Sequence, residues 1–120
     1  MRARVEAEID SGILRHDARN LQLKRRLAER GIDFRGERPI TCNFRAPSQR
    51  QASRLEQELS GRGFLVLEVS PAGSGDNRIW HVRVQVERTI GQASSHEFTE
   101  AMVRSAAAFS CTYDGWCTRI

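Results

Sequence analysis

The side chains of this 120-residue chain that could do chemistry are three histidines, three cysteines and one aromatic–acid cluster near the end. His16, His81 and His96 fall on three separate elements. The acidic residues are scattered, with no two carboxylates at a spacing that suggests a general acid and base. Neither an HExxH helix nor a GxSxG elbow is present. Cys42, Cys111 and Cys117 form no CxxC pair, so the cysteines and histidines do not describe a zinc site. A cysteine nucleophile needs a base beside it. Cys42 and Cys117 read instead as small buried packing residues on adjacent strands. Gly73-Ser74-Gly75 lacks the lysine and the following helix of a phosphate loop. No catalytic, metal or cofactor site is expected.

The cluster is Tyr113-Asp114-Gly115-Trp116. Tyr113 and Trp116 have opposite parity, so a regular strand sends them to opposite faces. A bulge at Gly115 returns both to one side. Asp114 is then placed to accept hydrogen bonds from Arg45 or Arg83. Two readings stand. In one, the rings fill core and edge positions and Asp114 shapes a turn. In the other, they form a partly exposed patch that grips a protein segment, because aromatic and arginine side chains dominate interface anchors. The candidate contact residues are Tyr113, Asp114 and Trp116, with Asn43, Arg45, His81 and Arg83.

The elements that must position them follow from periodicity. Residues 1–30 read as helical, with Asp10-Ser11-Gly12 ending a first short helix. Leu14, Ala18, Leu21 and Leu27 give the apolar stripe of the second, with Leu23 or Ala28. Gly31 fits the C′ position after an arginine-rich last turn. Residues 38–45 alternate as a strand, with Ile40, Cys42 and Phe44 on one face and Thr41, Asn43 and Arg45 on the other. Ser48 with Gln51 caps a helix whose stripe is Ala52, Leu55 and Leu59. Residues 64–69 read as a strand and residues 71–77 as a flexible hairpin tip. Trp80, Val82, Val84 and Val86 alternate with His81, Arg83, Gln85 and Glu87. Residues 90–93 form a connector. Ser94 with Glu97 caps a helix with Phe98, Ala101, Met102, Ala106 and Phe109 on one face. Residues 112–120 close the fold as a strand.

After the N-terminal helix this order is βαββαβ. It predicts a ferredoxin-like α+β fold: a four-stranded antiparallel sheet with helices on one face, and the first and third strands central. One domain is expected over 1–120, with residues 1–30 packed on a core of 38–120, because some 30 residues cannot build a core alone.

Net charge is +4, and all but one of the 19 basic residues, Lys24, are arginine. That permits an acidic partner. No apolar run approaches the length of a membrane span, and the charged start gives no secretory leader. The cytoplasm, with reduced thiols, is the expected compartment. RNA-recognition modules stack bases on open-face aromatics of their first and third strands. Here those positions carry Thr41, Asn43, Arg45, His81, Arg83, Gln85 and Glu87, and Trp80 and Phe44 take the opposite parity. A basic nucleic-acid-binding module, limited to phosphate contacts from Arg45, Arg83 and the N-terminal arginine face, is the alternative to a protein-binding domain. The expected oligomeric state is a monomer or weak homodimer.

The ending Tyr113-Asp114-Gly115-Trp116, after the alanine-rich helix from His96 to Phe109, resembles the close of the regulator of ribonuclease E activity B family. Gly31-Ile32-Asp33 followed by Arg38-Pro39-Ile40, and the Arg62-Gly63-Phe64 step, are similar to that family's entries into its first and second strands. The resemblance covers residues 14–120. It implies a ferredoxin-like fold and a non-catalytic protein that binds the endoribonuclease and restrains RNA decay.

Overall fold

Strand β1 (Glu37–Ala46) sets the frame through its alternation. Ile40, Cys42, Phe44 and Ala46 are buried, whereas Thr41, Asn43 and Arg45 face the other way. A computed structural model of the chain describes residues 2–73 and 78–119. Strand β3 (Ile79–Thr89) pairs antiparallel with β1 over ten residue pairs, from Glu37 opposite Thr89 to Ala46 opposite Trp80. Its Val82, Val84 and Val86 join the same buried face. Strands β2 (Leu65–Ala72) and β4 (Thr112–Cys117) complete an antiparallel sheet in the order β2-β3-β1-β4. The central pair and the first-to-last adjacency are those of the ferredoxin-like arrangement.

The helices lie on the buried face. Helix α2 (Gln49–Gly61) starts at Ser48, whose hydroxyl accepts from the Gln51 amide, and it buries Ala52, Leu55 and Leu59. Helix α3 (Ile90–Ala93), in the expected connector, is a single turn held by a Thr89–Gln92 capping box. Helix α4 (His96–Ala107) is capped by Ser95, one residue later than the sequence pattern suggests. Ser94 instead turns its hydroxyl back to the Ile90 carbonyl at 2.7 Å. The buried side of α4 carries Thr99, Met102, Val103, Ser105 and Ala106, while Ala101 is exposed. That rotation has a cause: α4 packs on a second helix as well as on the sheet.

That second helix corrects the sequence reading most. Helix α1 (Arg2–Glu29) is continuous through Asp10-Ser11-Gly12. Gly12 is buried at the crossing with α4, where an added Cβ would lie 3.7 Å from Val103 Cγ1. The face turned inward is Ile9, Ile13, His16, Asn20, Leu23 and Leu27, which are buried or half-buried and recur at alternating spacings of four and three. Leu14 and Leu21, expected in the core, are 70% and 49% exposed, and Ala18 is exposed too. Two polar residues occupy inward positions because each finds a partner far along the chain, and no propensity scale anticipates that. Gly31 does take the predicted C′ position, at φ 75°, with the Ile32 amide closing onto the Leu27 carbonyl.

At the other edge, β2 begins at Leu65 and runs through Pro71, tolerable because β2 is an edge strand. Its register with β3 shifts between Val66 and Glu68, leaving Leu67 unpaired. Of the predicted hairpin tip, residues 71–77, Pro71 and Ala72 belong instead to β2, and residues 74–77 lie outside the described residues, as do Met1 and Ile120. β4 ends at Cys117. Among the described residues no helix is long and apolar enough to cross a membrane.

Candidate functional site

The site is built on an irregularity in β4. Gly115 pairs with Asn43 and Tyr113 pairs with Phe44, so Asp114 is an extra residue on the β4 side. Gly115 carries φ 111°, a conformation that side chains with a Cβ rarely adopt. This is the bulge that the Tyr-Asp-Gly-Trp spacing predicts. Because Tyr113 pairs with Phe44 and Trp116 with Cys42, both rings lie on the helix-packed face.

On that face the motif fastens α1 to the sheet edge. The Tyr113 ring is 4% exposed and packs against Phe44 and His16, with centroid separations of 5.2 and 4.9 Å. His16 donates its Nε2–H to the Tyr113 carbonyl at 2.9 Å. A carbonyl can only accept, so this bond fixes the ring tautomer. Burial, with Arg19 and Arg15 nearby, lowers the His16 pKa, and the Tyr113 carbonyl partly offsets this. Trp116 donates its indole N–H to Asn20 Oδ1 at 3.0 Å, and Asn20 Nδ2 donates to Thr99 Oγ1 at 3.0 Å. Thr99 donates in turn to the Ser95 carbonyl at 2.9 Å. One side chain of α1, Asn20, thus ties β4 to α4. The Tyr113 hydroxyl is buried beside the Cys42 thiol and makes no hydrogen bond of normal geometry. Burial raises the Tyr113 pKa far above its usual value. The bulge does bring the rings together, but on the helix-packed side: Tyr113 is buried there and Trp116 half-buried, so neither ring lies on the open face beside Asp114.

Asp114 faces the opposite way, onto the sheet surface that no helix covers. Arg45 donates through Nε to both Asp114 carboxylate oxygens at 2.9 Å. Cross-strand pairing sets Arg45 beside His81 and Asn43 beside Arg83. Arg83 reaches Glu68 on β2 at 3.4 Å. The Ser70 hydroxyl and then Arg83 hold the Glu68 carboxyl below its ordinary range. Five of the seven predicted residues (Asn43, Arg45, His81, Arg83 and Asp114) therefore share the open face.

The sequence reading left out the apolar part of this surface. Leu65 and Leu67 of β2 are 59% and 44% exposed. A hollow of about 450 Å³ lies over the face, lined by Pro39, Thr41, Leu67, Arg83, Gln85, Cys117 and neighbours. It also gave no site role to His16, Asn20 or Thr99. The four-three spacing along α1 is the signal that points to His16 and Asn20.

Cys42 and Cys111 are buried and not poised for chemistry, whereas Cys117, expected to be a buried packing residue, is exposed. Burial pushes Cys42 up to about 12 and Cys111 up to about 11, so both are protonated near neutral pH. Among the described residues no group of three or more His, Cys, Asp or Glu is placed to hold a metal ion.

A family model described as "Regulator of ribonuclease activity B" matches residues 17–118, most of the chain. The chain belongs to the regulator of ribonuclease activity B family. The matched span contains the Asn20–Thr99–Trp116 tie and most of the open face. Comparison with curated proteins finds no match. Membership makes the chain a regulator of ribonuclease activity by family.

Proposed function

We propose that the chain acts without catalysis, by binding a ribonuclease through the open face of its sheet and so modulating RNA decay. The observation that carries this reading is the composition of that uncovered face. Two exposed leucines and a hollow stand beside charged side chains held in place by cross-strand partners. Interfaces gain affinity from apolar anchors in pockets and specificity from positioned charge around them. The fitting partner segment puts an apolar side chain over Leu67 and Cys117 and carboxylates toward Arg83 and Arg119, in keeping with a net charge of +4. The face offers no aromatic platform for stacked bases, which favours protein over single-stranded RNA.

The test is binding of the purified ribonuclease to the wild type and to Arg45→Glu, Leu67→Asp and Arg83→Glu. All three positions are exposed, and circular dichroism checks that each variant folds. Each substitution is expected to weaken binding about tenfold or more and to relieve the effect on RNA cleavage in proportion. Undiminished binding by all three variants overturns the assignment of the face. Salt-sensitive RNA binding by the wild type, with no ribonuclease binding, transfers the function to nucleic acid.

A further inference from the structure

Helix α1 has a second seam that the fold leaves uncovered. Ala7, Ser11, Leu14, Ala18, Leu21, Arg25 and Ala28 recur at alternating spacings of four and three, and every one of them is exposed. Such spacing keeps one stripe facing a partner helix over several turns. Leu14, at 70%, is the most exposed large apolar side chain on the described surface, and Leu21 at 49% lies two turns along the same stripe. The inward seam of the same helix already holds α4 and β4, so this outer one is free of the body.

Charge along the seam identifies its occupant. Asp10 flanks the seam toward the N-terminal end, and Lys24 and Arg25 lie toward the C-terminal end. Neither Asp10 nor Arg25 has an ion-pair partner among the described residues. A parallel copy would set Asp10 on Asp10 and Arg25 on Arg25. An antiparallel copy sets unlike charges together. With its two-fold axis between Asp17 and Ala18, Leu14 meets the second copy's Leu21, Asp10 meets Arg25, Ser11 meets Lys24 and Ala7 meets Ala28. One registration brings the leucines together, sets Asp10 on Arg25 and pairs Ala7 with Ala28. The alanines matter because the approach of two helix axes depends on the side chains between them.

We infer that the outer seam of α1 is a self-association surface, on which a second copy of this chain packs antiparallel across Leu14 and Leu21. The dimer is isologous, so every contact occurs twice and every substitution counts twice. It leaves the open sheet face accessible, and the inference is independent of the ribonuclease reading.

Sedimentation equilibrium on the full chain tests it, with circular dichroism as a check on folding. The wild type is expected to show a reversible monomer–dimer equilibrium below millimolar concentration. Leu14→Glu is expected to leave a monomer with unchanged helicity. Asp10→Arg and Arg25→Asp are each expected to weaken the dimer about tenfold, because each places two like-charge pairs at the interface. The two combined restore unlike pairs and are expected to recover most of the wild-type association. A wild type that stays monomeric at millimolar concentration overturns the inference. So does failure of the combined variant to recover. If the wild type stays monomeric and Leu14→Glu weakens ribonuclease binding, the seam belongs to that partner instead.

Discussion

Replacing Asn20 by alanine tests whether the Tyr-Asp-Gly-Trp motif is built to hold α1. Asn20 is 6% exposed and makes two side-chain hydrogen bonds, one to the Trp116 indole and one to Thr99, both at 3.0 Å. Each is worth about 1 kcal/mol net, and a buried donor left without a partner costs about 1–3 kcal/mol. Thr99 keeps its bond to the Ser95 carbonyl, so most of that penalty falls on the Trp116 N–H. Alanine is the better helix former by about 0.6 kcal/mol, which works the other way. The expected net loss is about 2–3 kcal/mol out of the roughly 5–15 kcal/mol typical of a domain. The corresponding fall in Tm is about 10 °C. Urea unfolding followed by circular dichroism measures it, and Trp116→Phe completes a double-mutant cycle, because phenylalanine lacks the donor. A coupling energy of about 1 kcal/mol is expected between positions 20 and 116. A cost below about 0.5 kcal/mol for Asn20→Ala, or a coupling near zero, would refute the tie.

Other perturbations follow from the same geometry. Gly115→Ala is expected to lose about 1–3 kcal/mol from backbone strain at φ 111°, read by urea unfolding; steric crowding adds little, since the nearest atoms to an added Cβ lie 3.8 Å away. Ser110 holds φ 59° after α4 with the Cys111 amide closed onto the Ala106 carbonyl, the position that Gly31 takes after α1. Ser110→Gly is therefore expected to raise stability by about 0.5–1 kcal/mol in the same assay. His16 of α1 and His96 of α4 give opposite pH responses. The folded pKa of His16 lies below 6.5, so as pH falls through that value the unfolded chain takes the proton first and stability declines. His96, hydrogen-bonded to Asp17 at 2.8 Å, has its pKa raised by that carboxylate. Its contribution is present below 6.5 and disappears as pH rises through the folded value. Unfolding between about pH 5 and 8 separates them: His16→Gln should remove the decline on the acid side, and His96→Gln the gain there.

The sequence by itself determined the sheet. Alternation in β1 and β3 is a local property, and once the strand–helix order is read, right-handed crossovers leave the observed strand order. It also determined the bulge, because a glycine between an aspartate and a tryptophan of the wrong parity leaves a strand few alternatives. The grouping of Asn43, Arg45, His81, Arg83 and Asp114 on one face follows from those two facts. Only the tertiary structure decided which way the paired rings turn and which side of α1 is buried. Periodicity counts apolar residues, and α1 has two stripes at helical spacing. The one richer in alanine is outside, and the one interrupted by His16 and Asn20 is inside. The choice rests on hydrogen bonds to residues 97, 96 and 79 positions away, at Tyr113, Trp116 and Thr99. Burying a polar side chain is unfavourable until its partner is in place, and a partner that distant exists only in the folded chain.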